Sequence, residues 1–267
     1  MQEKLDNVLG KGYIELCDLR DLEAMMFMFS VPKGEDDIRM VYDGSKSGLN
    51  EALWAPWFAL PTLDALLRWT AVGSWLGDND YGEQFLNFPL HPDLQKFCGV
   101  DLSRILQETG VEGRMIVGRW VRNAMGLRSS PYNSVQGATR AKILIKGFPA
   151  SPTNPFQWDR LELNLPCTEG YDATKPWISK WRRDGLRASE LVQYVDDVRT
   201  VSATEELAWT CSGHVGKTLS FLGLQDAARK RRMSSKRPGA WAGAIVAADG
   251  SQVTKSVSKD RWIKTQV

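Results

Sequence analysis

The sequence predicts an α+β fold in which short antiparallel hairpins alternate with a few long helices. Two observations carry this. Three stretches alternate or pair as strands around tight turns, namely "IRMVYDG", "LVQYVDDVRTV" and "GAWAGAIVAADGSQV". Two others, "SSPYNSVQGATRAKILIKG" and "TEELAWTCSGHVGKTLSFLG", carry apolar residues at helical spacing.

Taken in order, residues 1 to 30 read as helical, with apolar positions in "LRDLEAMMFMF" at mixed helical spacing. "IRMVYDG" is a strand ending in a turn at Asp43-Gly44. After Pro61, "TLDALLRWTAVGSWL" has a helical period with Thr62 as its N-cap. "QFLNFPL" reads as a short buried strand running into His91-Pro92. Pro131 suits the first turn of the helix that follows it. Residues 147 to 180 are rich in Pro, Gly, Asn and Trp and predict an irregular insertion. "LVQYVDDVRTV" is two short strands around a tight turn at its acids. The last hairpin turns at Asp249-Gly250.

Composition excludes several classes. At 267 residues with ordinary apolar and charged fractions, the chain is long enough for one large or two modest domains and is not disordered. No apolar run approaches the roughly 18 residues of a membrane span, and "ALWAPWFAL" is interrupted by Pro56. "MQEKLDNVLG" has neither part of a secretory signal, so a soluble, intracellular location is expected. Cys17, Cys98, Cys167 and Cys211 are scattered and two histidines cannot complete a spaced zinc site, which predicts reduced, mostly buried thiols. "GHVGKT" imitates a phosphate-cradling loop, but Cys211 stands where that motif needs glycine and a helix precedes it where a strand is required.

Net charge is only +2, yet its distribution is uneven: residues 1 to 60 hold eleven acids against six bases, and "RKRRMSSKR", residues 229 to 237, holds six bases and no acid. Such a run is either a solvated face or the edge of a polyanion-binding surface.

The adjacent acids Asp196 and Asp197 raise a physical question. Two carboxylates about 4 Å apart repel by roughly 4 kcal/mol at an effective dielectric near 20. Water relieves this in an exposed turn, but the apolar flanks Leu191, Val192, Tyr194, Val195 and Val198 place these acids at the rim of a core. A divalent cation is the natural partner there, and magnesium takes one or two carboxylates and fills its shell with water and substrate phosphates. A further carboxylate is then needed from another element, and "WLGDNDYGEQFLNFPL" offers Asp78 and Asp80.

These residues carry a resemblance. "YVDD" within "LVQYVDDVRT" resembles the catalytic hairpin of reverse transcriptases, and five further blocks follow that family's order. "VPKGEDDIRMVYDGSKSGLN" is similar to its fingers segment. "DYGEQFLNFPL" is similar to its first palm motif and selects Asp80 over Asp78, because Phe85 is then the aromatic five residues on. "NAMGLRSSPYNSVQ" resembles the second palm motif, "FLGLQDAARKRR" the Gly-Leu and basic motif after the hairpin, and "AWAGAIV" the primer-grip hairpin. The long spacing from "SSPYNSVQ" to "YVDD" departs from the family, as does Met125 where some members carry glutamine.

The resemblance implies a right-hand polymerase palm, an antiparallel sheet with helices on one face, plus fingers. It divides the chain into an N-terminal helical region and fingers (1–76), a first part of the palm (77–146), a lineage-specific insertion (147–185) and a second part of the palm (186–267), ending in "KDRWIKTQV" where a thumb would begin, as in a fragment or minimal remnant of a retroelement polymerase. It implies RNA-templated addition of deoxynucleotides to a DNA primer by two-metal phosphoryl transfer. Two Mg2+ ions, or Mn2+ in their place, would be held by Asp80, Asp196, Asp197 and the carbonyl of Tyr81. Lys33 and Arg39 would grip the triphosphate, Phe85 would exclude a 2′ hydroxyl, Gly126 and Pro131 would shape the turn beside the templating base, and Lys230 would meet the pyrophosphate. Tyr194, Trp241, Gly243, Arg229, Arg231 and Arg232 would contact the RNA template and DNA primer. No membrane partner is implied, and oligomeric state stays open. The alternative is a silent nucleic-acid-binding remnant; an RNA-dependent RNA polymerase is disfavoured by "YVDD" and Phe85.

Overall fold

A computed structural model describes residues 2–33, 37–106 and 115–258, with the backbone alone at residues 33, 65 and 66. Along the chain run α1 (Gln2–Gly10), β1 (Ile14–Cys17), β2 (Phe27–Lys33), β3 (Asp37–Asp43), α2 (Leu49–Ala52), α3 (Leu63–Leu67), β4 (Trp75–Asp80), α4 (Pro92–Gln95), β5 (Gly99–Asp101), β6 (Val117–Trp120) and α5 (Ser130–Lys146). There follow β7 (Arg160–Leu163), β8 (Ile178–Trp181), β9 (Glu190–Tyr194), β10 (Asp197–Ser202), α6 (Glu205–Phe221), β11 (Ala244–Ala247) and β12 (Thr254–Val257). The residues form two compact units, 1–58 with 83–137, and 59–82 with 138–267. The boundary falls inside α5.

The first unit holds the antiparallel sheet β1-β6-β5 and the hairpin β2–β3. Its core gathers Leu5, Ile14, Met26, Met40, Tyr42, Val100, Leu102 and Trp120, with Tyr42 meeting Trp120 edge to face at 4.5 Å. The second unit is built on the antiparallel sheet β4-β10-β9. Period-two alternation gives that sheet two distinct faces. One face carries Leu191, Val198 and, just beyond β4, Tyr81, packed with Ala138, Ala141 and Ile145 of α5 and Cys211, Val215 and Leu219 of α6. The other carries Leu76, Val192 and Val201, packed with Trp241, Ala242 and Val246.

Several sequence expectations are corrected. The helix expected over residues 1 to 30 ends at Gly10, and Phe27–Lys33 is a strand paired with β3; its continuous apolar run has no period of its own, and the pairing decides. The helix after Thr62 stops at Leu67, and the rest of that segment turns into β4. "QFLNFPL" opens with a 3-10 turn, Gln84–Asn87, because Glu83 takes a positive φ of 47° and reverses the chain. The segment expected to be irregular contains the hairpin β7–β8, in register from Arg160 opposite Trp181 to Leu163 opposite Ile178. Its loop is fixed by Asn164, whose Nδ2 donates to Asp172 O at 2.8 Å and Lys175 O at 3.1 Å. The expected thumb start at residues 259 to 267 and the fingers turn at residues 34 to 36 lie outside the described residues.

All four cysteines are free thiols; Cys98 and Cys211 are buried, and burial pushes them up to about 12 and about 11, whereas Cys167 is exposed. No helix among the described residues is long and apolar enough to cross a membrane.

Candidate active site

The site begins with the register of β4 against β10. Asp197 pairs with Asp80, Val198 with Asn79 and Arg199 with Asp78. Alternation then sends Asp80, Asp197 and, from β9, Tyr194 to the face opposite the helices, since Tyr194 is the β9 partner of Asp197. Asn79, between the two acids of β4, points the other way and is tied to α6 by Ser212, whose Oγ donates to Asn79 Oδ1 at 2.8 Å. Thr204 caps that helix, accepting from Leu207 N at 3.2 Å.

The two acids of β4 have different jobs. Asp78 accepts from Arg199 Nε at 2.6 Å and from Arg199 Nη2 at 2.9 Å, a bidentate pair with the guanidinium almost fully buried. Arg199 also donates to Gly239 O at 3.3 Å and lies 5.1 Å from the centre of the Trp241 ring. Asp80, at the strand end, pairs with the exposed Lys230 at 2.7 Å through Oδ2, and its Oδ1 is buried with no hydrogen-bond partner among the described residues.

Asp196 lies in the two-residue turn between Tyr194 and Asp197. Its neighbour Val195 holds a φ of +54°, which a β-branched residue rarely adopts and which costs about 1–3 kcal/mol. The backbone is locked there because Asp196 O accepts from Tyr81 N at 3.1 Å. A second tight turn faces the first: Trp241 and Ala244 exchange backbone bonds of 2.8 and 2.9 Å around Ala242 and Gly243, both at positive φ as such a turn requires. Ala242 N donates to Asp197 Oδ2 at 3.1 Å. The expected hairpin β11–β12 closes through residues 248–253, which include Asp249-Gly250, and the turn at Ala242-Gly243 precedes it.

The electrostatics follow from crowding. Burial raises the carboxyls of Asp196 and Asp197 above the usual range, and the charge of Asp80 pushes both further; Asp197 is also raised by Asp196 and opposed by the Ala242 N–H. Such a set favours a cation. Among the described residues no three acidic, cysteine or histidine side chains converge as a complete metal site. The donor set nonetheless fits magnesium, which needs only one or two carboxylates from protein, and the partnerless Asp80 Oδ1 is an oxygen free to ligate.

The other sequence-selected residues divide between the units. In the second, Tyr194 and Gly243 line a cavity of about 430 Å3, Trp241 is buried beneath Arg199, Arg231 pairs with Asp226, and Arg229 and Arg232 are exposed. In the first, Lys33 lies opposite Asp37 and Arg39 opposite Val31 on the β2–β3 hairpin, with Arg39 exposed. Phe85 is half-buried in the 3-10 turn. Gly126 has a φ of +105°, and an added Cβ would meet Tyr42 O at 1.8 Å. Asn50 clamps this turn, donating to Gly126 O at 2.8 Å and accepting from Arg128 N at 2.8 Å. Pro131 stands at the second residue of α5. Arg199 and Asn50 were not singled out from sequence; the signal available for Arg199 was a charged residue inside an otherwise apolar strand, which demands a buried partner.

No family model matches the sequence, and no curated protein is similar to it. The chain is similar to the solved structure of the foamy viral protease-reverse transcriptase dRH in complex with ds DNA, with a TM-score of 0.66 at 15% identity. The match covers 99% of this chain and 36% of that one. The likeness is one of fold: a reverse-transcriptase-like palm and fingers, built from small antiparallel sheets and helices.

Proposed function

We propose that this chain is the polymerase module of a retroelement reverse transcriptase, adding deoxynucleotides to a DNA primer on an RNA template. The observation that carries this reading is the pairing of Asp80 with Asp197 on the helix-free face, with Asp196 in the strained turn beside them. Asp80, Asp196 and the carbonyl of Tyr81 would hold Mg2+, with Asp197 in support. When bound, such ions ease ionisation of the primer hydroxyl and neutralise the leaving pyrophosphate.

The chain's own groups do the rest. The Ala242 N–H and the Tyr81 N–H fix the turn that presents Asp196 and Asp197. Arg199, by holding Asp78, leaves Asp80 as the acid of β4 directed at the site. Lys230, on the segment whose Ala227 N donates to Asp80 O at 3.0 Å, supplies a mobile cation for phosphate oxygens. Phe85 on the fingers-side unit would select the sugar, and Lys33 and Arg39 would bind the triphosphate.

One observation favours a second reading, a nucleic-acid-binding protein without chemistry: Lys230 already neutralises Asp80, as a fixed internal cation would in a site that no longer takes metal. Extension of a labelled DNA primer on an RNA template in magnesium, with duplex binding measured in parallel, separates the two. Metal-dependent extension supports the polymerase; binding without extension supports the silent protein; neither result sinks both.

A further inference from the structure

The hexapeptide "GHVGKT" lies in the middle of α6 and has no part in the site above. Ala208, Cys211, Ser212, Val215, Gly216 and Leu219 of that helix are buried. Trp209, Gly213 and Lys217, at i, i+4 and i+8, form a stripe on the other side. They floor a groove of about 650 Å3 whose opposite wall comes from residues 152 to 157, at the start of the 147–185 segment.

The groove's chemistry is one-sided. Arg182, Lys217 and Arg231 line it, and among the described residues no acidic one does. Arg182 is held from the side by Asp184 at 3.0 Å and Arg231 by Asp226, while Lys217 makes no ion pair among the described residues. Trp209 is 51% exposed, a large flat ring presented to solvent beside these cations. The two glycines of α6 fit the same purpose. An added Cβ at Gly216 would lie 2.0 Å from Arg231 Nη2, so that glycine lets the arginine cross the helix. An added Cβ at Gly213 would meet nothing within 4 Å, so packing does not ask for glycine there, although glycine weakens a helix. Its effect is a flat floor between the ring and the ammonium.

We infer that this groove binds a short unpaired stretch of polynucleotide, with a base stacked on Trp209 and backbone phosphates on Lys217, Arg182 and Arg231. The stripe from Trp209 to Lys217 spans about 12 Å at 1.5 Å per residue, the length of three to four stacked nucleotides at about 3.4 Å each. Exposed aromatic faces interleaved with cations are the means by which proteins hold single strands without reading sequence. An acidic peptide would use the cations and leave the ring idle. The inference gives the 147–185 segment a task, as one wall of this groove. It does not rest on the polymerase reading, because Asp80 and Asp197 belong to the opposite face of the sheet.

The test is fluorescence anisotropy of a labelled ten-nucleotide oligouridylate on the full chain and on Trp209→Ala, Lys217→Glu and Lys175→Glu. Trp209 and Lys217 are both exposed, so the variants fold, which far-UV circular dichroism checks. Trp209→Ala and Lys217→Glu should each weaken binding about tenfold, Lys175→Glu less than about twofold, and ultraviolet crosslinks should map to residues 207–217 or 152–157. Equal losses in all three charge and ring variants, unchanged affinity in the first two, crosslinks confined elsewhere, or displacement by polyglutamate in preference to oligonucleotide would each overturn the inference. Asp196→Asn should leave this binding unaltered even where it ends primer extension, so the two readings fail separately.

Discussion

Replacing Asp78 and Asp80 separately by asparagine tests the division of labour between two acids on the same face of β4. Asp78→Asn removes the carboxylate paired with Arg199, whose side chain is 3% exposed. What stays beside the guanidinium is Gly239 O at 3.3 Å and the Trp241 ring at 5.1 Å, neither of which carries a charge. Breaking a buried pair from one side costs about 3–5 kcal/mol. For a chain of this size each kcal/mol lowers the melting temperature by about 2–4 °C, so a fall of roughly 6–20 °C is expected. Asp80→Asn loses only its contact with the 53%-exposed Lys230, worth about 0–1 kcal/mol, and relieves repulsion on Asp196 and Asp197. Its melting temperature should stay within about 3 °C of the parent. Replacing both partners, as Asp78→Leu with Arg199→Met, should restore most of the loss, since an apolar pair of similar volume is close to neutral. Thermal melts by far-UV circular dichroism at neutral pH read all four proteins. An Asp78→Asn variant as stable as the parent, or an Asp80→Asn variant destabilised as much as Asp78→Asn, would refute the assignment.

Other outcomes follow from the same geometry. Gly126→Ala should cost at least about 2 kcal/mol, because φ is +105° and the new Cβ would overlap Tyr42 O; an unchanged denaturant midpoint would show the turn to be otherwise built. Phe85→Ala should raise ribonucleotide incorporation at least about tenfold, and unchanged sugar selectivity would remove its role as a gate. Glu190 is buried between Lys146 and Lys180; burial pushes its carboxyl up, but the two ammonium groups outweigh this and hold it below its ordinary value of 4.5. Its folded-state value being depressed, its contribution is present above about pH 5 and is lost as pH falls through the folded value. Stability of Glu190→Gln should therefore be lower at neutral pH and fall less steeply into acid, and parallel curves would contradict the pairing. Lys180 carries the same sign, because burial lowers its ammonium although Glu190 opposes it.

The hairpin β9–β10 and helices α5 and α6 were legible in the sequence because each meets a local rule: strand-forming residues around Asp196-Asp197, a proline at the start of α5 and a helical period for α6. β4 was not. Its residues "WLGDND" have no alternation of apolar and polar types, since both faces are covered and the polar side chains are satisfied by distant partners, Asp78 by Arg199 and Asn79 by Ser212. The hairpin β7–β8 was hidden by a fourteen-residue connection that Asn164 organises through bonds to its far end. Of the three acids picked out from the sequence, Asp80 through its spacing to Phe85, Asp197 pairs with Asp80 across the sheet and Asp196 precedes it in the turn. Of the groups that fix this region, Arg199 leaves one trace in the sequence, a charge inside an apolar strand, whereas the Ala242 N–H and the positive φ of Val195 belong to tertiary structure and have no sequence pattern.

The central claim, that Asp80, Asp196 and Asp197 form a nucleotidyl-transfer site, is tested most directly by single-nucleotide extension of a labelled DNA primer on an RNA template, in magnesium and in manganese. The chain and its Asp196→Asn variant are compared, with melting temperatures taken on the same samples. The account predicts metal-dependent extension by the chain and loss of at least about a thousandfold in the variant at nearly unchanged stability. Extension by the variant at the parent's rate would contradict it.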